Sequence, residues 1–163
     1  MLATRKVTLA LATTLLLLVL ANCATAEAGR RSDTAKRLNA NLAGTPLAGT
    51  GWILEHEGHK AGIHPAFIAA VAGLESAWGR LPCSRNRFNY WGLGSCDRAW
   101  QVPYFQTFRQ AVRYFARFVR QRWPNARTPY DLHGYCECSH WGSRVAWNMD
   151  RLGFPAVVRY GRG

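Results

Sequence analysis

Of the 9 acidic residues in this 163-residue chain, Glu75 has the most unusual surroundings. It follows the apolar run Pro65 to Leu74, within Leu74-Glu75-Ser76-Ala77-Trp78-Gly79. At helical spacing its own face holds Ile68, Val71 and Ala72, so the carboxyl belongs to a side that should be buried. Desolvation disfavours an ionised carboxylate and raises its pKa. The negative end of a helix dipole acts in the same direction. An acid that keeps its proton near neutrality suits general-acid cleavage of a glycosidic bond. The structural alternative is a buried Glu paired with an arginine or accepting from a loop amide.

A second set of residues, His133, Cys136, Cys138 and His140, has ligand types suited to zinc, but H-x2-C-x-C-x-H lacks the paired spacing of structural zinc sites. No metal or other cofactor is expected. Disulfides are the stronger reading for Cys83, Cys96, Cys136 and Cys138. A Cys136–Cys138 bond closes a very small ring, which favours tying both Cys83 and Cys96 to the 136–138 segment. A single Cys83–Cys96 bridge is the competing arrangement.

Four helical segments are in place to hold Glu75. The first spans Gly51 to Lys60 and stops at Gly62. Pro65 opens the second, which runs to Trp78 and is apolar nearly all round, as a central helix must be. The third, Thr107 to Arg122, has Thr107 as N-cap and Phe108, Ala111, Val112, Phe115 and Val119 along one face. Arg109, Arg113, Arg117 and Arg120 fill its other side, a solvated stripe that can also hold an anionic polymer. The fourth runs from Ser139 to Leu152, before Gly153. The intervening loop, Gly79 to Gln106, is long enough to be functional and to contain a small hairpin. The expected fold is mainly α, with at most that hairpin.

The start of the chain points to export. Arg5 and Lys6 precede an apolar run, Val7 to Ala21, and Ala24-Thr25-Ala26 offers small residues for cleavage. Residues 1–26 are therefore expected to be a signal peptide, and the mature chain to be secreted or to reside in the periplasm or cell envelope. Asn22 fits poorly before a lipidated Cys23. The remaining 137 residues carry 19 basic and 9 acidic side chains, which favours a polyanionic partner. Export argues against nucleic acid as that partner. No second span long enough for a membrane follows, so no stable insertion after cleavage is expected. Residues 27–46, basic and without sustained periodicity, read as a tether or linker, or a frayed helix, ahead of a domain at 47–163.

Three elements in order carry a family resemblance: Leu74-Glu75-Ser76-x-x-Gly79, then Asn89-Tyr90-Trp91-Gly92-Leu93, then Tyr104-Phe105-x-Thr107-Phe108 leading into a helix. Over roughly residues 50–153 the chain resembles the lysozyme-like glucosaminidases of glycoside hydrolase family 73 and, more distantly, lytic transglycosylases. That resemblance implies a lysozyme-like fold and cleavage of β-1,4 bonds in peptidoglycan glycan strands by a monomer. By position it implies that Glu75 is the acid and that Asn89, Tyr90 and Trp91 line the groove, with Ser76, Trp78 and Tyr104 as further substrate contacts. The chain departs from the family pattern in having no Asp or Glu between Arg98 and Tyr130, which leaves Asp97, Asp131 and Glu137 as second carboxylates. Asp97 is the best placed. A second carboxylate is dispensable where the sugar's own N-acetyl group serves as nucleophile. His140-Trp141 stands where the family places a tyrosine-containing motif.

Of the many aromatic residues, Tyr90, Trp91 and Tyr104 are expected in the groove and Trp52, Trp123 and Trp147 in structural roles. Two other function classes fit the composition. One is a catalytically inactive wall-binding module, suggested by the scarcity of second carboxylates. The other is a cationic membrane-active protein.

Overall fold

The computed structural model describes residues 33–94 and 103–159. The signal-peptide expectation for 1–26, and Cys96 and Asp97, lie outside the described residues. The folded body begins at Thr34. Its elements in order are α1 (residues 34–41 of this body), α2 (Gly51–Ala61), α3 (Pro65–Ser76), α4 (Pro82–Arg85), α5 (Phe108–Arg122), a 3-10 turn (Pro129–Asp131) and α6 (Trp141–Arg151). The fold is mainly α. Among the described residues there is no strand, only an isolated antiparallel bridge between Ile63 and Arg159, so no hairpin is present in the described part of the 79–106 loop. α4 occupies part of that loop instead.

α3 is the centre. Pro65 starts it, His64 caps it through Nδ1 accepting from the Ala66 amide at 3.2 Å, and Pro65 to Ala72 are all buried. A run of Ala, Ile, Val and Phe gives water no face, so other helices must cover it. α2 and α6 pack against it, and Asn148 of α6 donates to the Ala70 carbonyl at 3.0 Å. α5 buries Ala111, Val112, Phe115, Ala116 and Val119, and Thr107 caps it by accepting from the Gln110 amide at 3.2 Å.

The α5 arginine stripe is less solvated than its pattern suggests. Arg109 and Arg113 reach Glu57 of α2 at 2.9 and 2.8 Å, and Arg120 donates to the Ala61 carbonyl at 3.0 Å. Glu57 has essentially no exposure, so two guanidinium groups offset the cost of burying its charge.

Of the two readings for 27–46, the described residues form a helix, and it is docked rather than frayed. Leu38 and Leu42 of this segment are fully buried in the common core, as is Leu47 just after it. Arg37 donates to the Gly153 carbonyl at 2.9 Å and lies over the Phe154 ring. Leu38 and Leu42 are one helical turn apart in a polar stretch, which is enough to dock a short helix but too brief a repeat to stand out.

The disulfide expectation is also corrected: Cys136 is bonded to Cys138. Bends at Tyr135 and Glu137 fold the segment back until the two Cα atoms are 5.3 Å apart, within the reach of a disulfide.

Candidate active site

The end of α3 is shaped by three consecutive left-handed residues, Ala77, Trp78 and Gly79, with φ of 49°, 60° and 85°. For the first two this conformation costs on the order of 1 kcal/mol each. The turn is held by Ser76, whose hydroxyl donates to the Ala72 carbonyl at 2.7 Å and accepts from the Gly79 amide at 3.0 Å. Ser76 is completely buried, so it shapes the helix end and is not a substrate contact. Trp78 folds back over α3, where Gly73 makes room; a Cβ there would stand 2.6 Å from the indole.

Glu75 is half-buried at this helix end. Its Oε1 accepts from the Trp141 indole Nε1–H at 2.6 Å. Its Oε2 faces Gly92, at φ 66°, where an added Cβ would lie 2.9 Å away. Tyr135 stacks on Trp141 with centroids 4.5 Å apart, and its hydroxyl donates to the Trp91 carbonyl. Burial raises the Glu75 pKa, and the indole bond opposes that rise in part. Burial pushes the Tyr135 phenol well up, with the nearby Glu75 charge adding to it. Because the indole can only donate, Oε1 is the acceptor, which leaves Oε2 as the oxygen free to take up a proton.

The Asn89-Tyr90-Trp91-Gly92-Leu93 segment does not line a groove, contrary to expectation. Asn89 clamps the turn, donating to the Leu93 carbonyl at 2.7 Å and accepting from its amide at 3.2 Å. Trp91 is fully buried, donates to the Ile68 carbonyl at 2.9 Å and stacks between Phe108 and Phe115. Tyr90 is buried against Phe88, Trp91 and Phe108. These three residues seat the turn that brings Gly92 against Glu75.

Tyr104 is 69% exposed ahead of α5. Of the aromatic residues expected to be structural, Trp123 is partly buried and donates to the His133 carbonyl at 2.9 Å. Trp52 and Trp147 are instead exposed, under Arg109 and Arg151 respectively.

Two clefts lie at neighbours of Glu75, though Glu75 itself lines neither. One, of about 530 Å³, runs between α3 and α6 and includes Leu74, Ala77, Trp78 and Trp147. The other, of about 400 Å³, lies between the 3-10 turn and the start of α6 and includes His133, Glu137 and Trp141. Ser143 borders both. Glu75 is joined to each by one lining residue: it follows Leu74 of the larger in sequence and accepts from Trp141 of the smaller.

Of the other carboxylates considered, Asp131 is occupied in capping: it accepts from the Arg127 and Thr128 amides at 2.8 Å and from the Thr128 hydroxyl at 3.1 Å, and these bonds lower its pKa. Glu137 is exposed beside the smaller cleft. Among the described residues no group of three or more His, Cys, Asp or Glu is arranged to hold a metal ion, and the sulfurs of Cys136 and Cys138 are bonded to one another.

Sequence reasoning placed Glu75 at the end of a buried helix but did not find Trp141, Tyr135 or Gly92 as its neighbours. Trp141 is 66 positions away in the chain, and its position on the inner face of α6 was the available signal. No protein-family model and no curated protein sequence matches this chain.

Proposed function

We propose that this protein is an exported, lysozyme-like peptidoglycan hydrolase that cleaves β-1,4 bonds of the glycan strand in the manner of an N-acetylglucosaminidase, with Glu75 as general acid. The observation that carries the reading is the carboxyl itself: half-buried, raised in pKa, and oriented by a neutral donor, the Trp141 indole. A cation in that place would strip the proton, whereas a neutral donor fixes the carboxyl's orientation and leaves it acidic.

Glu75 gives its Oε2 proton to the bridging oxygen as the bond to the anomeric carbon breaks. The carbonyl oxygen of the neighbouring N-acetyl group attacks that carbon and forms a cyclic intermediate. Water then adds to the anomeric carbon and returns a proton to the Glu75 carboxylate. With Asp131 committed to its cap, one protein carboxyl suffices for this sequence.

That same economy favours a second reading, a lytic transglycosylase, in which a hydroxyl of the sugar takes the place of water and leaves an anhydro end. No helix among the described residues is long and apolar enough to cross a membrane. The partner in either reading is the glycan strand, met outside the cytoplasm by a monomer.

The test uses Glu75→Gln, which keeps the side chain's size and can still accept from the indole. It should melt like the native protein and release no soluble muropeptides from purified peptidoglycan. Undiminished release would remove the reading. Mass spectrometry of the new chain ends separates hydrolysis from transglycosylation.

A further inference from the structure

Between Tyr135 and α6 the chain is held by a covalent bond rather than by burial. Residues 136–140 are all exposed, and within them Cys136 is bonded to Cys138 across a single residue. A bond that closes so short a loop restricts the unfolded chain less than one spanning a long loop, so little of the helical body's stability rests on it. Both cysteines line the cleft of about 400 Å³, together with His133 and Trp141. A small molecule can therefore reach the bond from solvent.

The residues on either side of the bond lead to Glu75. Before it, Tyr135 stacks on Trp141 with centroids 4.5 Å apart and donates to the Trp91 carbonyl. After it, the Cys138 carbonyl accepts from the Trp141 amide at 3.3 Å. No side chain caps the start of α6, so the closed turn at 136–138 is what receives the first amide of that helix. The same Trp141 donates its indole N–H to Glu75 Oε1 at 2.6 Å.

We infer that Cys136–Cys138 is a thiol–disulfide exchange site, open to small thiols, whose oxidised form fixes the Trp141 donor on Glu75 and whose reduced form releases it. The two sulfurs are not equivalent. The Cys138 amide donates to Cys136 Sγ at 3.2 Å, and an N–H aimed at sulfur stabilises a thiolate forming there. Cys136 is therefore the better leaving group. The thiolate of an incoming thiol attacks Cys138 Sγ, the bond to Cys136 breaks, and Cys136 leaves as a thiolate that takes up the proton the thiol gave to water. A second thiolate attacks the outer sulfur of the mixed disulfide and frees Cys138, which is protonated in the same way. Two thiols are oxidised to one disulfide, and the protein's disulfide is reduced to two thiols. The turn then loses its closure, and the Trp141 amide its fixed acceptor. None of this depends on which bond Glu75 cleaves.

The test exposes the folded full chain to excess reduced glutathione, blocks free thiols with iodoacetamide and maps the 136–138 peptide by mass spectrometry. Cys136–Cys138 should open while the helical circular dichroism is unchanged, whereas a bond of purely structural role resists this reductant. With glutathione limiting, the trapped adduct should sit on Cys138 and the alkyl group on Cys136. A bond that stays closed overturns the inference, as does loss of the helical signal, or an adduct shared equally or found mainly on Cys136.

The second readout is NMR of the indole N–H protons, with the Trp141 signal identified by its absence from Trp141→Phe. Reduction should shift that signal toward the position of solvent-exposed indoles. The Trp91 signal, whose donor is bonded to the Ile68 carbonyl in the core, should stay in place. Cys136→Ser/Cys138→Ser should show the spectrum of the reduced chain with or without glutathione. A Trp141 signal that does not move, or a Trp91 signal that moves with it, overturns the inference.

Discussion

Replacing Trp141 by Phe isolates one term in the acidity of Glu75. The ring still fills the space and still stacks against Tyr135, but the donor 2.6 Å from Oε1 is gone. An N–H aimed at a carboxylate stabilises the ionised form more than the protonated one, so its loss raises the pKa further. A hydrogen bond to a charged group is worth about 1.5–3 kcal/mol, and one pKa unit corresponds to about 1.4 kcal/mol. Partial access of water to the vacated site places the expected change near the lower end, at about one unit. The assay is kcat/KM for muropeptide release as a function of pH. If Glu75 is the acid, the alkaline limb reports its loss of the proton, and Trp141→Phe moves that limb upward by about one pH unit. A limb that stays in place, or moves toward acid, refutes the reasoning, since no other neighbour described here donates to this carboxyl.

Further expectations concern stability and the turn beside the acid. Glu57 is held down to about 2, chiefly by its bond to Arg113 and against the cost of burial, with His56 and Arg109 adding to the effect. A depressed carboxyl contributes fully above its ordinary value of 4.5 and loses that contribution as pH falls toward 2. Glu57→Gln should lower stability near pH 7 by about 2–3 kcal/mol and flatten the decline between pH 4.5 and 2, as read by thermal melts across that window. Gly92→Ala must hold a positive φ and place a methyl 2.9 Å from Glu75 Oε2. It should cost about 1–2 kcal/mol of stability, and reduce cleavage at least tenfold at temperatures where the variant remains folded.

Much of the helical framework was legible in the sequence because its signals are local. The apolar run after Pro65, the Thr107 cap and the glycines at 62 and 153 each act within a few residues, and α2, α3, α5 and α6 lie within two residues of their expected limits. What was not legible depends on packing between distant segments. Tyr90 and Trp91 lie in a loop-like stretch with polar neighbours, the usual setting for groove residues. They are buried because Trp91 finds the Ile68 carbonyl and the Phe108 and Phe115 rings. The docking of α1 was missed for the opposite reason: two leucines made too short a pattern, yet the core accepts both. At the site, Glu75 was found from its place on a greasy helix. Its partner Trp141 comes from α6, and only the α3–α6 packing joins them.

The most direct test is the titration of the Glu75 carboxyl in the full chain, followed by carbon-13 NMR of the labelled side chain beside the pH profile of cleavage. The account predicts a midpoint above the ordinary glutamate value of 4.5 that coincides with the alkaline limb of activity. A midpoint at or below 4.5, or one that the activity profile does not follow, would contradict it.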